Sequence, residues 1–176
     1  MIIPAEQLVG KQLDNGWKVV EKLKKLPNAT GGQFSFSYIV ERDGIRAFLK
    51  ALDYTLAFSL PNTAEILQAM TESYSHEKNL CFQCRDRHLS RIVKAIDAGA
   101  VHIDKTNPFT KVEYLVFELA DGGDVRKKME SFKKFDEAWV LRSLHQVAVG
   151  MNQLHTIGVA HQDLKPSNVD QATFFL

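Results

Sequence analysis

The sequence predicts an α+β fold, in which a five-stranded antiparallel sheet with one helix is followed by a helical part. Three observations lead to this prediction. Apolar residues alternate along much of the first part, they recur at helical spacing after residue 122, and the pair Asp43–Gly44 stands between two alternating stretches. An Asp-Gly pair is a strong signal for a two-residue hairpin. We place the change near Glu118, which divides the chain into residues 1–118 and residues 119–176.

Five stretches of the sequence have the spacing of strands. In the second of them, every other residue is apolar and shares one face: Phe34, Phe36, Tyr38 and Val40. The third stretch follows the Asp-Gly turn directly, so we expect it to pair with the second. The predicted strands are residues 17–26, 33–42, 45–53, 90–101 and 111–120.

A long helix is predicted after the third strand, with Pro61 at its start and Asn62 or Thr63 as its cap. Glu77 lies on the apolar stripe of this helix, where a carboxylate is costly unless it is paired. We therefore expect Glu77 to form an ion pair with Lys50 of the third strand. The other residues of the stripe are Ile66, Leu67, Met70, Tyr74, Cys81 and Cys84.

Two further helices are predicted in the second part of the chain. A short one lies within residues 122–132. A long amphipathic one begins after the cap residue Asp136 and stops at Gly158. Its predicted buried face consists of Val140, Leu144, Val147, Met151 and Leu154.

The composition bounds the class of protein. The chain has 176 residues, 45% of them hydrophobic, and a formal net charge of +1. These values predict a soluble globular protein without a charge field for nucleic acid or membranes. No apolar run has the length of a membrane span, and the N-terminus lacks the pattern of a signal peptide, so we expect a cytoplasmic protein. Cys81 and Cys84 are too few for a zinc site and are predicted to be reduced thiols without a function.

The residues with the clearest chemical pattern are 161–168, which read HQDLKPSN. This stretch resembles the H-R-D-L-K-x-x-N catalytic loop of eukaryotic-type Ser/Thr protein kinases. The resemblance implies a protein kinase-like fold that uses ATP, Mg²⁺ and a protein substrate. It makes Asp163 the acceptor of the substrate hydroxyl proton, Lys165 the group that neutralises phosphoryl charge, and Asn168 a metal ligand. The simpler alternative is a polar turn after a helix.

Two residues upstream extend the resemblance. Lys50 in the stretch AFLK resembles the lysine of V-A-I-K, and Glu77 in HEKNL resembles the glutamate of the family's small-lobe helix. In this family the two form the ion pair that holds the lysine against the nucleotide phosphates. Glu65 and Glu72 are the other candidates for this role, but both can be placed off the apolar stripe.

The remaining nucleotide-binding positions are assigned by the resemblance alone. Gly31 and Gly32 fall in the place of the Gly-rich loop, although only Gly32 occupies one of its three glycine positions. The backbones of Glu118 and Ala120 would meet the adenine edge. Asp124 would meet the ribose, or would cap the following short helix instead.

The sequence departs from the kinase pattern in two ways. Gln162 replaces the Arg of H-R-D, so pairing with an activation-loop phosphate is not expected. The D-F-G and A-P-E motifs do not follow residue 168. We therefore expect a Ser/Thr kinase domain that is a fragment, a frameshifted product or a degenerate homologue, and is inactive as this polypeptide. The alternatives are a non-catalytic module that binds a nucleotide or a partner, and a small-molecule phosphotransferase.

Overall fold

The structure is a computed structural model that describes residues 3–24, 35–120, 122–131 and 136–169. Contacts divide the chain into two compact units. The first consists of residues 1–80 and 95–119, and the second of residues 81–94 and 120–176. The boundary between the two lobes, which we placed after residue 118 from the sequence, stays a prediction. The two units are described separately below.

The first unit contains the predicted five-stranded antiparallel sheet, in the order β1-β2-β3-β5-β4. Asp43 and Gly44 form the tight turn between β2 and β3, both with positive φ angles of 53° and 75°. Two positive φ angles are what a type I′ hairpin turn requires. The strands are β1 (Lys18–Lys22), β2 (Ser35–Arg42), β3 (Ile45–Leu52), β4 (Ala95–His102) and β5 (Lys111–Glu118).

The start of the fourth strand was predicted wrongly. The strand begins at Ala95 rather than at residue 90, because the residues before it form turns in the second unit. There the backbone N–H of Arg91 donates to the Gln153 side chain at 3.0 Å, so it is not available to a sheet ladder. Residues 25–26 of the first predicted strand and Phe34 of the second lie outside the described residues.

The core of the first unit includes the N-terminal segment, of which residues 3–16 were predicted as neither strand nor helix. Leu8, Leu13 and Trp17 are at most 2% exposed and belong to the same cluster as Tyr38 and Val40. The Tyr38 hydroxyl donates to the backbone oxygen of Ala5 at 2.6 Å. The residues before β1 are therefore an integral part of this unit.

The long helix α1 (Thr63–Asp86) carries the predicted apolar stripe. Tyr74 and Cys84 are buried, and the other stripe residues are half-buried. The hydroxyl of Thr63 donates to the backbone oxygen of Leu60 at 2.8 Å, directly before the helix. The predicted helix is thus confirmed, and its apolar stripe is the face that is buried. None of the described helices is long and apolar enough to cross a membrane.

The second unit contains α2 (Val125–Ser131) and α3 (Glu137–Thr156). The Asp136 carboxylate accepts from the Ala138 N–H at 2.9 Å, which confirms it as the N-cap. Gly158 has a φ angle of 76°. Its N–H donates to the backbone oxygen of His155, and the N–H of Val159 donates to the backbone oxygen of Leu154. This pattern is a Schellman motif, which favours glycine at this position.

One residue of the predicted buried face of α3 is placed wrongly. Leu154 is buried, and Val147 and Met151 pack half-buried against Val125 and Val169. Leu144, however, is 59% exposed, because no described element covers this turn of the helix.

Candidate active site

The residues 161–168 bring three polar side chains together after the end of α3. The Asp163 carboxylate accepts from Lys165 Nζ at 2.6 Å and from Asn168 Nδ2 at 3.0 Å. Asn168 Nδ2 also lies 3.0 Å from the backbone oxygen of Asp163. The hydrogen bond from Lys165, reinforced by its charge, holds the pKa of Asp163 below its usual value. Asp163 is therefore an exposed, ionised carboxylate at neutral pH.

Backbone geometry fixes this loop at both ends. Gln162 has a positive φ of 62°, and the Asp163 N–H donates to the backbone oxygen of His161 at 2.8 Å. At the other end, the Val125 N–H donates to the Val169 backbone oxygen at 2.8 Å, and both side chains are buried. Between these points Pro166–Asn168 form one turn of 3-10 helix, which turns Asn168 back toward Asp163. The positions of Asp163, Lys165 and Asn168 are thus supported by α2 and by the 3-10 turn Pro166–Asn168.

The first unit contains the ion pair predicted from the apolar stripe. Lys50 Nζ lies 2.5 Å from Glu77 Oε1, with the two side chains 29% and 35% exposed. Lys50 extends from β3, where its neighbours in register are Ser37 and Leu115. Glu65 and Glu72 are exposed on α1. The choice of Glu77 among the three glutamates is confirmed as far as the pairing is concerned.

Comparison with known proteins decides the family. The family model of the protein kinase domain matches residues 48–170, which include both the ion pair and the loop. The chain belongs to the protein kinase family.

Similar kinases are known in fungi and in animals. Serine/threonine-protein kinase ppk18 of Schizosaccharomyces pombe is 38% identical over 56 residues, which is 32% of this chain and 4% of that protein. Serine/threonine-protein kinase greatwall of Homo sapiens is 39% identical over 56 residues, which is 32% of this chain and 6% of that protein. The matched stretch is therefore a small part of each relative.

A solved structure supports the kinase fold. The crystal structure of a kinase domain superposes with a TM-score of 0.66 at 16% sequence identity. The superposition covers 93% of this chain and 42% of the other. The chain thus has a protein kinase fold, with the five-stranded sheet and one helix of the small lobe and the first helices of the large lobe.

The remaining kinase positions are only partly described. Gly31 and Gly32, assigned to the Gly-rich loop, lie outside the described residues. Glu118 is the last residue of β5, and Ala120 follows two residues later. The Asp124 carboxylate accepts from the Lys127 N–H at 2.8 Å, so it acts as the cap of α2. Its contact with a ribose stays a prediction.

The loop offers one side chain that suits a magnesium ion. Within the described residues there is no group of three or more His, Cys, Asp or Glu side chains placed to hold a metal. The amide nitrogen of Asn168 donates to Asp163. The amide oxygen takes no part in these hydrogen bonds, and oxygen is the kind of ligand that Mg²⁺ prefers. Asn168 therefore fits the role of one magnesium ligand but not of a complete site.

Sequence reasoning assigned no role to Tyr74, which the structure places between α1 and the sheet. Its hydroxyl donates to the Tyr114 backbone oxygen at 3.3 Å, and its side chain is 7% exposed. The available signal was its position on the stripe, three residues before Glu77, where helical residues are neighbours.

Proposed function

We propose that this chain carries the nucleotide-binding elements and the catalytic loop of a protein serine/threonine kinase. The reaction is transfer of the γ-phosphoryl group of ATP to a serine or threonine hydroxyl of a protein. The observation that best supports this proposal is the Asp163 carboxylate held between Lys165 and Asn168 at hydrogen-bonding distance. A polar turn has no need of an ionised, exposed carboxylate with two donors fixed on it.

In the proposed mechanism, Asp163 orients the substrate hydroxyl and accepts its proton. The hydroxyl oxygen forms a bond to the γ-phosphorus while the bond from that phosphorus to the bridging oxygen breaks, and ADP leaves. Lys165, which lies beside Asp163, balances negative charge on the group in transfer. When bound, Mg²⁺ supplies charge neutralisation of the phosphates, and Asn168 would be one of the residues that hold it.

The family resemblance assigns the contacts with the nucleotide residue by residue. Lys50, oriented by Glu77, would contact the α- and β-phosphates. The backbones of Glu118 and Ala120 would meet the adenine, Asp124 the ribose, and Gly31 with Gly32 the phosphates. The support for these assignments is the Lys50–Glu77 ion pair and the family match over residues 48–170.

A protein substrate is favoured over a small molecule because Lys165 and Pro166 follow Asp163 in the order of the protein kinase loop. The printed names of the similar proteins are those of serine/threonine-protein kinases. We keep the cytoplasm as the predicted compartment. The alternative is a kinase-like module that binds nucleotide without transfer.

The test extends residues 1–176 with the kinase segments that normally follow the catalytic loop. This polypeptide is incubated with Mg-ATP and a mixture of proteins or of small alcohols and amines. We expect phosphoserine or phosphothreonine in protein and no phosphorylated small molecule. Transfer to small molecules alone would contradict the proposed substrate class. Nucleotide binding without any transfer would support the non-catalytic module instead.

A further inference from the structure

We infer that Tyr74 is a positioning residue, which holds Glu77 of α1 within reach of Lys50. This inference rests on the proposed function only where it predicts an effect on the binding of Mg-ATP. The contact itself is a property of the first unit.

The attachment of α1 to the sheet depends on very few side chains. Between Thr63 and Leu80, the part of the helix in the first unit, Tyr74 is the one residue that is buried. Ile66, Leu67 and Met70 are half-buried. The orientation of this part of the helix therefore has Tyr74 as its main fixed point.

The Lys50–Glu77 ion pair does not provide that fixed point itself. Both side chains are about one third exposed, and ion pairs near water contribute little to stability. A buried aromatic side chain contributes much more, through the apolar area that it removes from water. The ion pair is thus a consequence of where the helix lies, not its cause.

Tyr74 docks next to the strand position that carries Lys50. Its hydroxyl donates to the backbone oxygen of Tyr114 in β5 at 3.3 Å. In the register of β3 with β5, Tyr114 pairs with Ala51 and Leu115 pairs with Lys50. The hydrogen bond is long, so packing of the ring carries most of the attachment. Burial raises the pKa of Tyr74 to about 12, which keeps the hydroxyl a donor.

One helical turn then transmits the position of Tyr74 to Glu77. The two residues are three positions apart on α1 and share a face. Loss of the ring would let this part of the helix rotate or move away from β5. The Glu77 carboxylate would then leave Lys50.

The test compares Tyr74→Ala with Leu13→Ala in the extended polypeptide that tests the proposed function. Leu13 is 2% exposed in the same unit and provides a matched loss of core packing, since it lies in the N-terminal segment and not on α1. The first readout is the ¹H–¹⁵N resonance of the Lys50 ammonium group, assigned with Lys50→Met. The second is the Kd of Mg-ATP.

We expect Tyr74→Ala to abolish the protected Lys50 resonance and to weaken Mg-ATP binding by about five-fold, the loss of one partly exposed ion pair. Leu13→Ala should lower the Tm while it keeps both readouts. Tyr74→Ala with both readouts unchanged, or an equal loss in the two variants, would overturn the inference.

Two further controls keep the result interpretable. If Tyr74→Ala does not fold, Tyr74→Leu takes its place with the same two outcomes, because it keeps part of the apolar volume but removes the outer part of the ring and the hydroxyl that contacts β5. If the parent chain does not bind Mg-ATP, the nucleotide assignment fails, while the Lys50 resonance still decides the role of Tyr74.

Discussion

At the scale of single residues, the chemistry of the loop depends on how Lys165 holds Asp163. The Lys165 ammonium lies 2.6 Å from the carboxylate and is the main reason why the pKa of Asp163 is lowered. Lys165→Met should therefore raise this pKa toward the ordinary aspartate value of about 3.9. A carboxyl-detected NMR titration measures the shift directly. An unchanged pKa would show that Lys165 does not hold the carboxylate in solution.

The same substitution has a consequence for the pH dependence of the proposed reaction. A general base acts only when it is deprotonated, so activity falls as the pH drops through its pKa. Because Lys165→Met raises that pKa, the acid limb of the pH–rate profile should move to higher pH. His155→Gln, a change at the end of α3 outside the loop, is the matched control and should leave the limb in place.

A second prediction at this scale concerns Gly99, which pairs with Tyr114 across β4 and β5. A Cβ atom at Gly99 would overlap the Tyr114 hydroxyl oxygen and lie 2.7 Å from Cζ. Because Tyr114 is fully buried, the ring has little room to move. Gly99→Ala should lower the free energy of unfolding by about 1–3 kcal/mol, the usual cost of overpacking.

Chemical denaturation measures the effect of Gly99→Ala, and Tyr114→Phe tests its cause. The Tyr114 hydroxyl has no hydrogen-bond partner among the described residues, so its removal alone should cost little. In the double variant the closest contact is gone, and the penalty of Gly99→Ala should be smaller. If Gly99→Ala costs the same free energy of unfolding in the parent and in Tyr114→Phe, the Tyr114 hydroxyl is not the source of the strain.

Residue-level reasoning from the sequence succeeded where one physical cost dominated. A carboxylate on an apolar stripe had to be paired, and this selected Glu77 over two exposed glutamates. It did not predict that Asn168 would donate to Asp163, because the turn that brings them together is set by backbone geometry at Gln162 and Pro166–Asn168. Nor could it predict Tyr74 as a contact of β5, which depends on the packing of two distant elements.

At the scale of elements, the N-terminal segment before β1 is the largest addition to what the sequence predicted. Its apolar residues follow neither strand nor helix spacing, since they are buried through turns and isolated pairings. Leu8 and Leu13 are nevertheless as buried as the residues of the central strands. The family match begins at residue 48, so this segment lies outside it.

We predict that the first unit does not tolerate loss of the packing of this segment. Leu8→Ala should lower the free energy of unfolding by about 2–5 kcal/mol, as other buried leucine truncations do. Val9→Ala is the matched control, because Val9 is the next residue and is 53% exposed; its effect should stay within about 0.5 kcal/mol. Equal effects of the two substitutions in denaturant unfolding would show that the segment is not packed.

Element boundaries were predicted best where local signals mark them. Asp43, Gly44 and Gly158 have positive φ angles, which few residues favour, and Asp136 caps α3 with its side chain. Each lies where we predicted it from the sequence. The start of β4 has no such local signal. It depends on a hydrogen bond from the Arg91 N–H to the Gln153 side chain of α3. That contact joins residues 62 positions apart and has no trace in local spacing.

At the scale of the whole molecule, the second unit exposes a pair of large apolar side chains. Leu141 and Leu144 are 67% and 59% exposed and lie three residues apart on α3. The chain also covers only 42% of the solved kinase domain that it resembles. Exposed apolar patches of this kind promote association.

We therefore predict that a polypeptide limited to residues 1–176 aggregates and transfers no phosphoryl group. Light scattering and ATP turnover measure the two effects. Leu141→Glu with Leu144→Glu should reduce the scattering without producing turnover, because it changes solubility and adds no catalytic group. Turnover by residues 1–176 at the level of a complete kinase domain would contradict this prediction.

The measurement that tests the account most directly is phosphoryl transfer by Asp163→Ala, in the polypeptide extended beyond residue 176. Because the proposed role of Asp163 is to orient the hydroxyl and not to hold ATP, turnover should be lost while the Kd of Mg-ATP stays within about two-fold of the parent. Lys50→Met is the companion variant and should weaken nucleotide binding itself. Turnover by Asp163→Ala equal to that of the parent would show that this carboxylate is not the base.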